Sequence, residues 1–253
     1  MKCAIMQPTY IPWLGYFDLI DSVNKFIFLD DVKLEKCSWQ VRNRIKTPQG
    51  ELYLTIPVRS TKGRDKLIIN EVTINDSELW RKKHLKSIFY AYKKSEFFNE
   101  VYPFIEKLIN NKTIKLCGFT INIITTISDR IGINKGFMLS SNLKKLSGRN
   151  EERIVSICKE VNCNEYLSPQ GSAVYIEKEL PGGKFPKNNI DLFYQNYKHP
   201  VFRQGYGEFL PYMSILDLLF NYGFNKSLKI IRSGRRKPID YLNFRKDYLK
   251  LKE

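Results

Sequence analysis

The amino-acid sequence predicts an α/β fold: a mainly parallel sheet that carries a β-hairpin and an inserted helical subdomain. Three observations lead there. The chain opens as strand, loop, helix and strand, its apolar residues passing from a continuous run to helical spacing and back. A second strand, helix, strand unit spans 137–168. Between the two units stand three amphipathic helical stretches.

Cys3 to Met6 is an apolar run long enough only for a buried strand. Gln7 to Pro12 holds two prolines and no helical period, and is a loop. From Trp13 onward, Leu14, Phe17, Leu19, Ile20 and Val23 mark the inner face of a helix. Lys25 to Leu29 returns as a strand closed by Asp30 and Asp31, with a crossover right-handed by default. Ligands of open α/β sheets bind at the carboxyl ends of strands, beside helix N-termini that favour anions. Gln7, Thr9, Tyr10, Trp13, Gly15 and Tyr16 fall there. The spacing Trp13-Leu14-Gly15-Tyr16 resembles the His-x-Gly-His box of nucleotidyltransferase-like folds, so the expected fold is Rossmann-like (nucleotidyltransferase-like). Both histidines of that box are aromatic residues here, and its phosphate chemistry does not carry over.

Ser38 to Lys46 alternates with strand period, Thr47-Pro48-Gln49-Gly50 is a turn, and Leu52 to Val58 returns as the second strand of a hairpin. One face of the first strand presents Gln40, Arg42, Arg44 and Lys46. An edge strand blunted by charge has the same look. Guanidinium groups fork onto phosphate or carboxylate, however, and Arg42 and Arg44 are assigned to the anionic part of a ligand. Trp39 and Asn43 beside them are counted with the site.

Ser60 to Lys66 reads as a basic loop and Leu67 to Ile74 as a short strand. Asp76 or Ser77 caps a helix running to about Lys94, and Phe97 to Ile109 and Thr113 to Ile131 are two more helices. His84 on the first of these reads as a packing residue. Phe137 to Ser140 is a strand, Glu151 to Val161 a helix and Glu165 to Ser168 a strand. The loop after that strand offers Ser168, Gln170, Gly171 and Ser172 as hydrogen-bonding groups. After a strand at Ile190 to Asn196, the stretch from Tyr197 to Gln204 gathers polar and aromatic residues that no core requires. Ser214 caps a helix from Ile215 to Tyr222, which Gly223 stops. The tail from Ile231 carries eight Lys and Arg against three acids. The expected organisation is an α/β half with hairpin (1–75), a helical insertion (76–132), a second α/β half (133–230) and a basic tail (231–253).

The 253 residues, 43% of them apolar, allow a substantial core in one large domain. No apolar stretch reaches membrane-spanning length, and the N-terminus lacks an export segment, so a cytoplasmic protein is expected. Five scattered cysteines and two histidines argue for reduced thiols and against a metal site. There is no Walker loop, Gly-x-Gly-x-x-Gly fingerprint or metal triad, and no cofactor is expected. The net charge of +16 implies anionic partners: nucleotide phosphates, nucleic acid or an anionic membrane face.

Four blocks resemble the WbqC-like family of bacterial proteins. They are Gln7 to Phe17, Trp39 to Arg44 with Leu54 to Val58, Tyr166 to Gly171, and Ser214 to Phe220. The resemblance implies a bacterial cytoplasmic protein of O-antigen or other surface-polysaccharide biosynthesis. The leading expectation is a transferase moving an acyl or aminoacyl group onto a nucleotide-linked amino sugar. A tRNA or RNA binder, or a transferase using charged tRNA, is the second reading; it rests on the charge and on the tail's Tyr241, Phe244 and Tyr248. A non-catalytic partner in a glycan-assembly complex is the third. His199, the one histidine in a loop context, is the candidate general acid or base, with Asp217 or Asp30 to orient it and Asp31 in reserve. The expected substrate-binding residues are Gln7, Tyr10, Trp13, Gly15, Tyr16, Trp39, Arg42, Asn43, Arg44, Ser168, Gly171 and Gln204. The oligomeric state is left open.

Overall fold

The computed structural model describes residues 1–35, 38–59, 67–77 and 79–250. The expected basic loop at 60–66 and Cys37 lie outside the described residues. In chain order, β1 (Lys2–Met6), α1 (Leu14–Asp21) and β2 (Lys25–Phe28) form the first unit. A hairpin of β3 (Arg42–Thr47) and β4 (Gly50–Thr55) leads to α2 (Trp80–Tyr92), α3 (Phe98–Ile109) and α4 (Leu116–Arg130). Then come β5 (Phe137–Leu139), α5 (Glu151–Glu160), β6 (Glu165–Ser168), the short α6 (Ala173–Ile176) and β7 (Asp191–Tyr194). α7 (Leu216–Ser233), β8 (Ile239–Asp240) and α8 (Tyr241–Lys250) close the chain.

The main sheet has the order β5-β2-β1-β6-β7-β8, parallel except for β8. β1, β2 and β5 thus wind toward one edge and β6, β7 and β8 toward the other, the order of a Rossmann-like sheet. The reversal falls between β1 and β6. Because side chains alternate along a strand, β1 feeds two cores. Ala4 joins Phe26, Phe28 and Leu167 under α1, α4, α7 and the hairpin. Cys3 and Ile5 join Ile27, Tyr166 and Leu192 against Ile154, Ile157 and Cys158 of α5 and Ile176 of α6. Burying each such aliphatic or aromatic side chain stabilises the fold by roughly 1.5–3 kcal/mol.

Several local expectations need correction. β3 starts only at Arg42; Trp39 and Gln40 sit in a turn before it. Lys46 is 3% exposed rather than part of an open charged face, because the 204–210 segment covers it: its amino group reaches Gln204 Oε1 (3.1 Å) and the Glu208 carbonyl. No continuous strand forms at 67–74. A short 3-10 turn at Ile69–Glu71 interrupts it, leaving single bridges at Ile68, Thr73 and Ile74. Asp76 does not cap α2; it holds the Trp80 indole and Arg81. Ser214 caps nothing, and its backbone N–H donates to the Arg44 carbonyl (3.0 Å). Gly223 does break the helix (φ 66°), but the chain re-enters it and runs to Ser233. The Phe97 ring occupies the space a Cβ would need, 2.6 Å away, while Phe224 and Ile231 carry the second half into the core.

The basic tail is built into the fold. β8 adds an antiparallel edge to β7, and the Phe244 ring stacks on Tyr194 at 4.0 Å. Arg235 Nε donates to Asp18 Oδ1 (2.7 Å), and Arg232 Nε to Asp21 Oδ2 (2.8 Å), tying the tail to α1. Burial raises the Asp18 carboxyl despite Arg235 and Gln195. At Asp21 burial is outweighed by the two guanidiniums, which hold it at about 2.

Candidate functional site

The loop after β1 is held from four sides. Tyr10 N–H donates to the Trp39 carbonyl (2.9 Å), and Asn43 Nδ2 donates to the carbonyls of Tyr10 (3.0 Å) and Ile11 (2.9 Å). Ile215 N–H donates to the Pro12 carbonyl (2.9 Å), and Trp13 bridges to Ser214. Ile11 has φ 41°, a region a β-branched residue rarely enters, and Tyr212 in the facing segment has φ 60°. Such strain persists only where the surroundings over-determine the backbone, and it gathers at functional sites. Trp13 lies flat over Gly15, where any Cβ would overlap the indole ring; that contact accounts for the glycine.

Two adjoining compartments open here. A cleft of about 560 Å³ runs across the reversal of the sheet, its walls including Gln7, Trp13, Trp39, Gln170, Gly171, Gln195, Tyr197 and Tyr212. A smaller chamber of about 280 Å³ is lined by Met6, Thr9, Pro12, Trp13, Tyr16, Trp39, Asn43, Arg44 and Tyr212. Met6, Trp13, Trp39 and Tyr212 border both. Arg44 uses one nitrogen, Nη1, for both oxygens of Glu51 (2.9 and 2.8 Å); its Nε is buried without a partner. Its guanidinium also lies 5.8 Å from the Trp39 ring, and that of Arg42 lies 4.9 Å from Tyr53.

Of the residues expected at the site, Gln7, Trp13, Tyr16, Trp39, Asn43, Arg44 and Gly171 line one compartment or both. Tyr10 does not: it is fully buried, its hydroxyl 3.0 Å from His84 Nδ1 and its ring beside Phe119. His84 is accordingly a core residue, its imidazole lowered to about 4 by burial. Arg42 and Gln204 line neither compartment, and Ser168 is buried at the end of β6. Gln204 instead clasps Leu210 with both ends of its amide while accepting from Lys46.

The three candidate catalytic groups stand apart in their contacts. His199 stacks on Trp13 (6.1 Å, 13° between planes) and meets Tyr212 edge-on. Its Nδ1 lies 2.9 Å from the Pro200 carbonyl, which only accepts, so Nδ1 carries the proton and Nε2 the lone pair. Nε2 is buried without a partner, and burial pushes the imidazole below its usual range. Asp217 is bound elsewhere. Its Oδ2 accepts from the Tyr92 hydroxyl (2.8 Å) and Lys46 N–H (3.3 Å), its Oδ1 has no partner, and burial raises it to about 7. Asp30 is buried and accepts from Ser141 N–H (2.9 Å), Ser141 Oγ (2.6 Å) and Ser140 Oγ (3.0 Å), joining the ends of β2 and β5; Asp31 pairs with Arg153. Thr9, which the sequence places beside the strand ends, lines the smaller chamber, and Gln195, Tyr197 and Tyr212, not assigned from the sequence as binding groups, line the cleft. The signal for Gln195 was its place at the carboxyl end of β7.

These features define a doubly wound α/β protein with a cleft at the reversal of its sheet. The model of the WbqC-like protein family matches residues 7–228, and the chain belongs to that family. It is 33% identical over 224 residues, 88% of this chain and 94% of the other, to a Mycobacterium tuberculosis (strain ATCC 25618 / H37Rv) protein named "Uncharacterized protein Rv1507c". No solved structure matches the chain. Among the described residues, no helix is long and apolar enough to cross a membrane, and no group of His, Cys, Asp or Glu is arranged to hold a metal ion.

Proposed function

We propose that the chain is a transferase of surface-polysaccharide biosynthesis, acting in the cytoplasm on a nucleotide-linked amino sugar to which it adds an acyl or aminoacyl group. The observation that carries this reading is the 560 Å³ cleft at the sheet's reversal, walled by aromatic rings and glutamine side chains. Rings offer a sugar its stacking surface, and amides match its hydroxyls as donors and acceptors. Arg44, on the wall of the adjoining smaller chamber, and Arg42 beside it on the hairpin bring charge for a diphosphate at the border between the two compartments. His199, neutral and with its lone pair on Nε2, is suited to take the proton an amine loses as it attacks. It lies against Trp13 rather than in the cleft wall, so the reading requires the Trp13 or Tyr212 ring to turn aside during turnover.

The exposed, stacked Trp39–Tyr53 pair, flanked by the two arginines, favours a second reading in which charged tRNA is the donor. A thermal-shift panel of sugar nucleotides, nucleotides, acyl donors and tRNA tests both. Any hit is then mixed with candidate donors and the products weighed by mass spectrometry. Stabilisation by a sugar nucleotide and a mass gain on its amino sugar support the first reading. Stabilisation by tRNA alone supports the second, and no response to any class removes both.

A further inference from the structure

The smaller chamber differs from the cleft in size and chemistry. Its 280 Å³ is below the usual range for a nucleotide-sized ligand, and at roughly 30 Å³ per water it equals about nine waters. Met6, Pro12, Trp13, Tyr16, Trp39 and Tyr212 give it mostly carbon walls. Its polar lining is nearly all committed. Asn43 is spent on the Tyr10 and Ile11 carbonyls and the Arg44 N–H. The charge of Arg44 is matched by Glu51, so no net charge remains to balance an ion inside. Two groups are left over: Arg44 Nε, buried without a partner, and Thr9, 7% exposed, whose hydroxyl has no hydrogen-bond partner. A buried hydroxyl without a partner costs free energy that a bound ligand would recover.

Resting on the transferase reading, we infer that this chamber holds the group being transferred. That group is an uncharged acyl moiety of about ten non-hydrogen atoms or fewer, its carbonyl or amide hydrogen-bonded to Thr9. The chamber then sets acyl length, while the cleft across the Trp13–Tyr212 wall holds the sugar.

The test uses the intact protein and ligand-observed NMR with acetamide, butyramide, hexanamide, decanamide and benzamide, and with butyrate and butylammonium as charged counterparts. Affinity should rise roughly fourfold per methylene until the chamber is full, then level off, since each buried methylene is worth about 0.8 kcal/mol. The charged probes should bind at least tenfold more weakly than butyramide. Thr9→Val, which keeps the shape and removes the hydroxyl, should weaken butyramide by about twofold to tenfold. Thr9→Leu should abolish hexanamide binding by filling the space. Tighter binding of butyrate than butyramide, or amide affinities indifferent to both variants, would overturn the assignment. A sugar nucleotide is titrated into the same samples. Amide binding without sugar-nucleotide binding would count against the transferase reading and leave the chamber standing; the reverse would count against the chamber alone.

Discussion

Asp217→Asn should change how stability depends on pH. Asp217 is 1% exposed beneath the hairpin, and burial, only partly offset by Tyr92 and the Lys46 backbone and charge, raises its carboxyl to about 7. An unfolded aspartate titrates near 4. The folded chain therefore holds this proton more tightly than the unfolded chain. The resulting stability is complete below about pH 4 and is lost as pH rises through about 7. At 1.36 kcal/mol per tenfold change in proton affinity, the full loss is about 4 kcal/mol. Asn keeps an oxygen for the Tyr92 hydroxyl and does not titrate, so its own cost is the same at every pH. Urea unfolding of both proteins from pH 4 to pH 8, taken as a difference, cancels the other titrating groups. The wild type should fall relative to the variant by several kcal/mol, half of it by about pH 5.5 and nearly all of it by about pH 7. A difference flat to within about 1 kcal/mol would refute the claim that burial of this carboxylate outweighs its hydrogen bonds and the Lys46 charge.

Arg44→Ala should weaken sugar-nucleotide binding by about ten- to a hundredfold, the worth of a charge-assisted contact, whereas Arg42→Ala should cost less because Arg42 lines neither compartment; calorimetry on folded variants checks the order. His199→Gln should lower turnover by about a hundred- to ten-thousandfold with affinity and Tm nearly unchanged, and the wild-type rate should persist below the usual imidazole range, because burial keeps His199 neutral there. Unchanged turnover would retire the histidine. Gly223→Ala should cost about 1–3 kcal/mol in urea unfolding, since it strains a positive φ and drives a Cβ toward the Phe97 ring.

What the sequence made legible followed from periodicity. The run, loop, helix and run of the first thirty residues placed β1, α1 and β2, and proline-rich Gln7 to Pro12 marked the loop that now borders both compartments. Partners across the chain were not legible. Tyr10 carries the same kind of side chain as Tyr16, yet it turns into the core because His84 and Phe119 wait there. Lys46 had strand period and a charge, but nothing local announced that residues 204–210 would cover it. Gly223, expected to stop the helix, only interrupts it; that Phe224 and Ile231 would pull the next turns into the same core was a tertiary effect. The basic tail looked like an appendage because Asp18 and Asp21, which neutralise Arg235 and Arg232, lie some two hundred residues away.

Gly171 permits the most direct test of the claim that the cleft at the sheet's reversal binds a sugar nucleotide. It lines that cleft, and a Cβ built on it meets no atom within 4 Å, so the position accepts a side chain and Gly171→Trp adds bulk there. Wild type and variant, matched in Tm, are titrated by calorimetry with uridine-, thymidine- and guanosine-diphosphate amino sugars. Binding of at least one of these to the wild type, weakened tenfold or more in Gly171→Trp, is the predicted result. Equal affinity in the two proteins, or binding of none of the three by the wild type, would contradict it.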